Sequence, residues 1–306
     1  MKKDAKPPPP GLILLRKPLG LTSFDSLKAV KRGLGSGKAG HTGTLDKFAE
    51  GLLLVLTGKA LKLSQWFTHC DKQYEGTIRF GIETDTLDPE GEEIAQAPAP
   101  SREAVEGALE LFRGKIEQAP PAYSAIHVAG ERASVLARRG EAPEMKKRPV
   151  EIYRLELRSW DPPFAGISVH CSGGTYIRSL ARDIALAAGS RAHLTGLLRT
   201  QVARFRLEDA VSPGAGEWAP TLRPIDRAVF SALGLPCLEV DPEGARKIVS
   251  GKPLREVLSV PELNRLSADY PGTCAAAVFS RDSLLAVIER TGETAPWKYG
   301  YVYARD

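Results

Sequence analysis

Gly40, His41, Thr42, Gly43, Thr44, Leu45 and Asp46 put two glycines, two hydroxyls, an imidazole and a carboxylate into seven consecutive residues. Glycines let a backbone approach another molecule closely, and hydroxyls and free amides donate to phosphate oxygens. A single carboxylate among them can serve as base or nucleophile. The same letters also suit a tight turn in which Asp46 bonds only to neighbouring backbone. Two familiar glycine-rich sites are excluded by context. Residues 35–40 spell the dinucleotide fingerprint, but a helical pattern precedes them and no helix follows. A phosphate-binding P-loop needs glycine where Arg32 stands and a hydroxyl where Ala39 stands.

Charge distribution narrows the partner. The net charge is only +5, yet residues 1–40 carry nine Lys or Arg against two acids, and residues 173–206 carry six against Asp183 alone. Such segments suit a polyanion, although a solvated basic face needs no partner. Cys70, Cys171, Cys237 and Cys274 stand far apart and the histidines show no ligand spacing, so neither a disulfide framework nor a metal site is expected. No apolar run approaches the roughly 20 residues of a bilayer span. The basic, proline-rich start lacks the apolar stretch of a signal peptide. A cytoplasmic protein without a membrane partner is expected.

The elements that must position the motif follow from periodicity. Residues 11–16 read as a first strand. Ser23 suits an N-cap, with Phe24, Leu27, Val30 and Leu34 on one helical face and Gly35 as the stop. After the motif, residues 52–56 form a buried apolar run. Tyr74, Gly76, Ile78 and Phe80 alternate as a half-buried strand ending at Gly81. Val105, Leu109 and Phe112 mark a helix, and residues 150–157 and 167–171 read as strands. Ile177, Leu180, Ala181, Ile184 and Ala188 predict an amphipathic helix stopped at Gly189. Beyond a turn-rich stretch at 212–220 come a short helix near 225–230, a helix over 242–249, and strands at 274–279, 284–289 and 299–303. Without regular β-α-β alternation, the expected fold class is α+β: a mixed, mainly antiparallel sheet with flanking helices, and a small C-terminal β-rich unit.

The motif continues through Ala49, Glu50, Gly51, Leu52 and Leu53, and as a whole resembles the catalytic motif GHTGTLDxxAxGLL of the TruB family of pseudouridine synthases. Five further matches occur in the family's order. They are Lys17-Pro18 with Gly20, Thr22 and Ser23; Lys72-Gln73-Tyr74; Thr84-Asp85-Thr86 with Asp88 and Gly91; QAPPAYSA at 118–125; and CSGGTYIR at 171–178. The resemblance covers residues 11–206 and, more weakly, the C-terminal segment, which is similar to a degenerate PUA-type RNA-binding module. It departs at Lys47-Phe48, where Pro-Leu is common, at Glu50, where Thr is frequent, and at Leu198, where an arginine would supply a phosphate contact.

The resemblance implies a pseudouridine synthase fold and an isomerase that converts uridine 55 in the T loop of tRNA, after flipping the base, with no cofactor and no metal. It makes Asp46 the nucleophile at C1' or the base at C2', and Arg178 the arginine that pairs with Asp46 and keeps it ionised. Tyr74 becomes the tyrosine that stacks on the base and assists loss of the C5 proton. Tyr176 and Leu197 border the uracil pocket, and His41 fills the space the extruded nucleotide leaves. The implied partner is the T-arm stem-loop of tRNA, bound by a monomer without an obligate protein partner. The implied division is a mobile Pro-rich arm over 1–10, a catalytic domain over 11–232 and a PUA-like RNA-binding domain over 233–306. Two other readings remain: a non-catalytic RNA-binding or tRNA-folding protein on the same fold, and a related synthase acting on ribosomal RNA. Asp46 counts against the first, and the lack of long Lys-rich tails against the second.

Overall fold

The computed structural model describes residues 8–303 except 36, 129, 142, 214–217, 219 and 220. Seven principal strands build the larger sheet: β1 (Gly11–Lys17), β2 (Ala49–Thr57), β3 (Lys72–Phe80), β4 (Gly114–Gln118), β5 (Arg148–Asp161), β6 (Phe164–Cys171) and β7 (Ala192–Val202). They lie in the order β1-β2-β7-β3-β6-β5-β4, and short strands at Ala39–His41 and Phe205–Arg206 bring the sheet to nine. Every pairing is antiparallel except β2 with β7. The α+β expectation therefore holds.

Helices α1 (Ser23–Gly33), α2 (Arg102–Glu110) and α3 (Ile177–Ala187) flank this sheet. Val105 and Leu109 of α2 and Leu180, Ala181 and Ile184 of α3 bury against Ile78, Phe80, Ile167 and Val169. β1 and β2 alternate between two cores. Ile13, Leu15, Leu53 and Val55 meet Leu27 and Val30 of α1, whereas Leu12, Leu14, Leu52, Leu54 and Leu56 face away from it.

What covers that second face is the C-terminal part. α4 (Arg227–Ala232), α5 (Pro242–Val249) and α6 (Val260–Asp269) accompany a four-stranded sheet of β8 (Cys237–Glu239), β9 (Ala275–Ser280), β10 (Ser283–Glu289) and β11 (Lys298–Val302). One side of it packs Ile248 of α5 and Leu266 of α6 on Ala276, Val278, Ala286 and Ile288. The other side sends Ala277, Phe279 and Val287 into the core that holds Leu12, Leu14, Leu52 and Phe67. The two sheets thus share an apolar seam.

Several expectations need correction. Thr22, not Ser23, caps α1 by accepting from the Asp25 amide at 3.0 Å, and Phe24 points to solvent rather than to the core. The central strand β7 had no clear period because it buries His193 and Arg199 and is bulged after Leu194 and Arg199. The short strand β4 was also unforeseen. So was α6, which buries only Leu266 and is announced by a Ser259–Glu262 capping box. Of the arm over 1–10, residues 1–7 lie outside the described residues. Pro8 is buried, and the Pro9 carbonyl accepts from Thr57 Oγ1 at 2.7 Å. Most of the turn-rich stretch at 212–220 also lies outside the described residues. Among the described residues no helix is long and apolar enough to cross a membrane.

Candidate active site

The motif leaves its short strand at His41, and the Thr42 amide still reaches back to the Leu54 carbonyl at 3.0 Å. Residues 42–48 then cross to the start of β2. Three polar side chains fix this crossing from below. Ser23 Oγ donates to the Leu45 carbonyl at 2.9 Å and accepts from the Leu45 amide at 2.8 Å. Lys17, fully buried, donates to the carbonyls of Pro18, Lys47 and Ala49. Arg199 of β7, also buried, donates to the Leu52 carbonyl at 2.7 Å and the Gly43 carbonyl at 3.2 Å. Gly51 makes the last approach possible. Its φ is +111°, and a Cβ there would sit 2.4 Å from the Arg199 carbonyl oxygen.

Asp46 emerges at the top of this crossing with its side chain 36% exposed. Arg178, in the first turn of α3 and itself buried, donates from Nη2 to Asp46 Oδ1 at 3.1 Å and brings Nε to 2.9 Å from Oδ2, an ion-pair approach without hydrogen-bond alignment. The guanidinium is held from its other side. Nη1 donates to Asp88 Oδ2 at 3.1 Å and to the Thr86 carbonyl at 2.7 Å, and Nη2 to the Tyr123 carbonyl at 3.0 Å. Asp88 is fixed in turn by Thr86 Oγ1 at 2.6 Å and the Glu90 amide at 3.0 Å. One buried cation is therefore shared between two carboxylates, and only Asp46 opens to solvent.

Burial pushes the Asp46 carboxyl above the usual carboxylate range. Arg178 and Lys17 pull it back, while Asp88 adds to the rise. Arg178 is thus the main opponent of burial at Asp46, with Lys17 beside it. Burial also brings Lys17 and Lys72 down to about 8 each. With Arg199, these two make the underside of the crossing cationic.

The other residues singled out from sequence gather here with unequal exposure. Tyr74 of β3 is buried and pairs across the sheet with Arg199 and Val169. Burial pushes its phenol up to about 12, against the pull of the Arg199 guanidinium, so the resting hydroxyl is neutral. Leu197 packs in the same core as Leu45, Phe48, Ala49 and Tyr74. Tyr176 caps α3, and the buried Gln118 amide braces its backbone, accepting from the amide at 2.8 Å and donating to the carbonyl at 3.1 Å. His41 is half-buried, and its Nδ1 has no hydrogen-bond partner among the described residues. Burial, then Arg199, lowers its pKa and favours the neutral ring.

Asp88, Lys17, Arg199 and Gln118 were not given roles from sequence. Lys17, Asp88 and Gln118 stood inside a quoted motif, and a polar residue type inside a motif was the available signal; Arg199 stood beside the departure at Leu198, outside the quoted motifs. The departures are accommodated without disturbing Asp46. Lys47 pairs with Glu90 at 2.9 Å, Phe48 is buried, and Leu198 packs half-buried on the shared seam.

The N-terminal domain model of the TruB family pseudouridylate synthases matches residues 31–177, a span that contains Asp46, Tyr74, Asp88 and Tyr176. The chain is 44% identical over 203 residues to tRNA pseudouridine synthase B of Borreliella burgdorferi strain ZS7, covering 65% of this chain and 72% of that protein. Its Bordetella avium counterpart is 47% identical over 216 residues, covering 69% of this chain and 88% of the relative. This chain belongs to the TruB family of pseudouridine synthases. As a TruB protein it is an isomerase, and the whole TruB chain, small sheet included, has a known fold. A chain in the crystal structure of a Cbf5-Nop10-Gar1 complex superposes with a TM-score of 0.70 at 22% identity, covering 96% of this chain and 84% of its own. The relative from Aromatoleum aromaticum, at 43% over 251 residues, carries the sequence likeness to 80% of both chains.

Proposed function

We propose that this synthase acts on tRNA and isomerises uridine 55 of the T loop through Asp46. That the relatives are tRNA pseudouridine synthases supports the substrate. The observation that carries the mechanism is the open Asp46 carboxylate seated on a buried Arg178, whose remaining donors are all engaged.

The rearrangement breaks the N1–C1' bond, turns the uracil and joins C5 to C1'. The C5 proton departs and N1 gains one, so the change is redox-neutral. The target base must leave its stack, at a cost of a few kcal/mol offset by phosphate contacts and stacking. Asp46 then either attacks C1', forming an ester as in retaining glycosidases, or removes the C2' proton to give a glycal. Tyr74 and Leu197 form the wall beneath the uracil, Tyr176 its side, and His41 stands where the extruded nucleotide leaves a gap. The C-terminal sheet acts as a PUA-like contact to RNA outside the T loop. The enzyme works as a monomer in the cytoplasm.

Tritium release from C5-labelled, unmodified tRNA transcript tests this reading. One equivalent is expected from the parent transcript and none when position 55 is cytidine; equal release from both rejects the assigned position. Deuterium at C2' of the target separates the routes. A primary isotope effect on single-turnover rate selects proton removal, and its absence selects attack at C1'.

A further inference from the structure

The turn between β1 and α1 exposes Leu19 at 64% and Leu21 at 41%, and the first turn of α1 exposes Phe24 at 63%. Isolated exposed leucines are ordinary, but three large apolar side chains exposed within six consecutive residues call for a partner. The turn is bound to the catalytic crossing on both sides of Asp46. The Gly20 amide donates to the Lys47 carbonyl at 2.9 Å, and Ser23 holds both backbone groups of Leu45. Apolar surface is therefore fixed beside the loop that carries Asp46.

Charge identifies the kind of partner. Lys31 Nζ lies 5.3 Å from the Phe24 ring centroid, and Lys28 and Arg32 follow on the same helix, with Asp25 the one acid among them and paired to Lys28 at 2.6 Å. A flat apolar surface with a cationic margin suits a molecule that alternates rings with phosphates. A reaction that extrudes one nucleotide also strips its neighbour of a stacking partner, and an aromatic ring beside that loop can replace it.

We propose that Leu19, Leu21 and Phe24 form a platform for one unpaired nucleobase of the substrate RNA next to the target nucleotide, with Lys31 meeting the adjoining phosphate. This inference rests on the proposed tRNA substrate and adds a contact that the catalytic motif does not contain.

Phe24→Ala and Phe24→Trp, first shown to melt at the wild-type temperature, are compared with wild type in tRNA affinity and saturated single-turnover rate. Phe24→Ala is expected to weaken affinity by about fivefold to 150-fold, the range of one lost base stack, with a smaller loss in saturated rate. Phe24→Trp should restore affinity. T-loop hairpins carrying single abasic nucleotides complete the test. One abasic position should weaken wild type and add nothing to the loss in Phe24→Ala. Unchanged affinity of Phe24→Ala would overturn the platform and leave the patch to a protein partner. An equal response of both proteins at every abasic position would overturn it too. Should wild type release no tritium from tRNA, the substrate reading fails, while the abasic comparison still reports on the platform.

Discussion

The Asp46 site and the seam between the two sheets are both well packed, but they are held by different physics. Around Asp46, a few buried charges act through directional contacts: Lys17 and Arg199 on loop carbonyls, Arg178 between Asp46 and Asp88. Along the seam, Leu12, Leu14, Leu52, Phe67, Phe279 and Val287 meet through apolar contact, with the Arg227 guanidinium over the Phe279 ring. Hydrophobic burial tolerates small shifts, whereas a shared guanidinium does not. Damage to the first region should therefore appear in chemistry, and damage to the second in stability.

The largest effect should come from Asp46→Asn. It keeps the shape of the side chain and removes its charge, so turnover should fall by about 10⁴-fold or more while tRNA affinity stays within a few-fold. Residual turnover within about tenfold of wild type would remove Asp46 from the chemistry.

Arg178→Ala breaks the distinction, because it should damage both properties. Two carboxylates lose their common cation, and removing one partner of a buried pair costs about 3–5 kcal/mol. Since Arg178 holds the Asp46 pKa down, its loss moves the acid limb of the pH–rate profile to higher pH. Lysine should restore part of the stability and less of the rate, because an ammonium lacks the guanidinium fork. An unshifted acid limb in the alanine variant would show that the pair does not control ionisation.

Phe279→Ala sharpens the comparison from the other side. Phe279 is fully buried against Phe230, with ring centroids 5.8 Å apart. Truncation should cost about 3–5 kcal/mol in denaturant unfolding, while the turnover of protein that remains folded stays near wild type. A matching fall in turnover would mean that the seam positions the site. Tyr74→Phe should have a smaller effect, about a hundredfold on turnover, the low end of what a group that assists proton transfer contributes, with affinity kept. Equal, mild losses in Tyr74→Phe and Tyr74→Leu would leave the ring a wall only.

The same division explains what was legible in the sequence. Asp46, His41, Tyr74, Tyr176, Arg178 and Leu197 could be named because their roles travel with short motifs. Strands such as β3 and helices such as α3 and α5 were readable because one face is apolar at the right period. β7 was not, since Arg199 and His193 occupy buried positions where the pattern calls for apolar residues. For the same reason Arg199 could not be read as the buried donor to Gly43 and Leu52. The seam was hidden for a different cause. Nothing in the period of β9 or β10 says which other sheet will cover it.

The position of β7 has a consequence for how the protein is made. β7 lies between β2 and β3, yet it follows β3 in the chain by more than a hundred residues, and Arg199 joins Gly43 across 156 positions. A ribosome delivers β2 and β3 long before the strand that belongs between them, leaving two open edges that can recruit other chains. The catalytic crossing lacks the Arg199 tie until β7 arrives, so assembly of the site is completed only at a late, non-local step. A chain released after residue 191 should accordingly leave residues 49–51, the part of β2 that pairs with β7, more open to hydrogen exchange than in the full chain. Protection there equal to that of the full chain would mean that the two outer strands close without their centre.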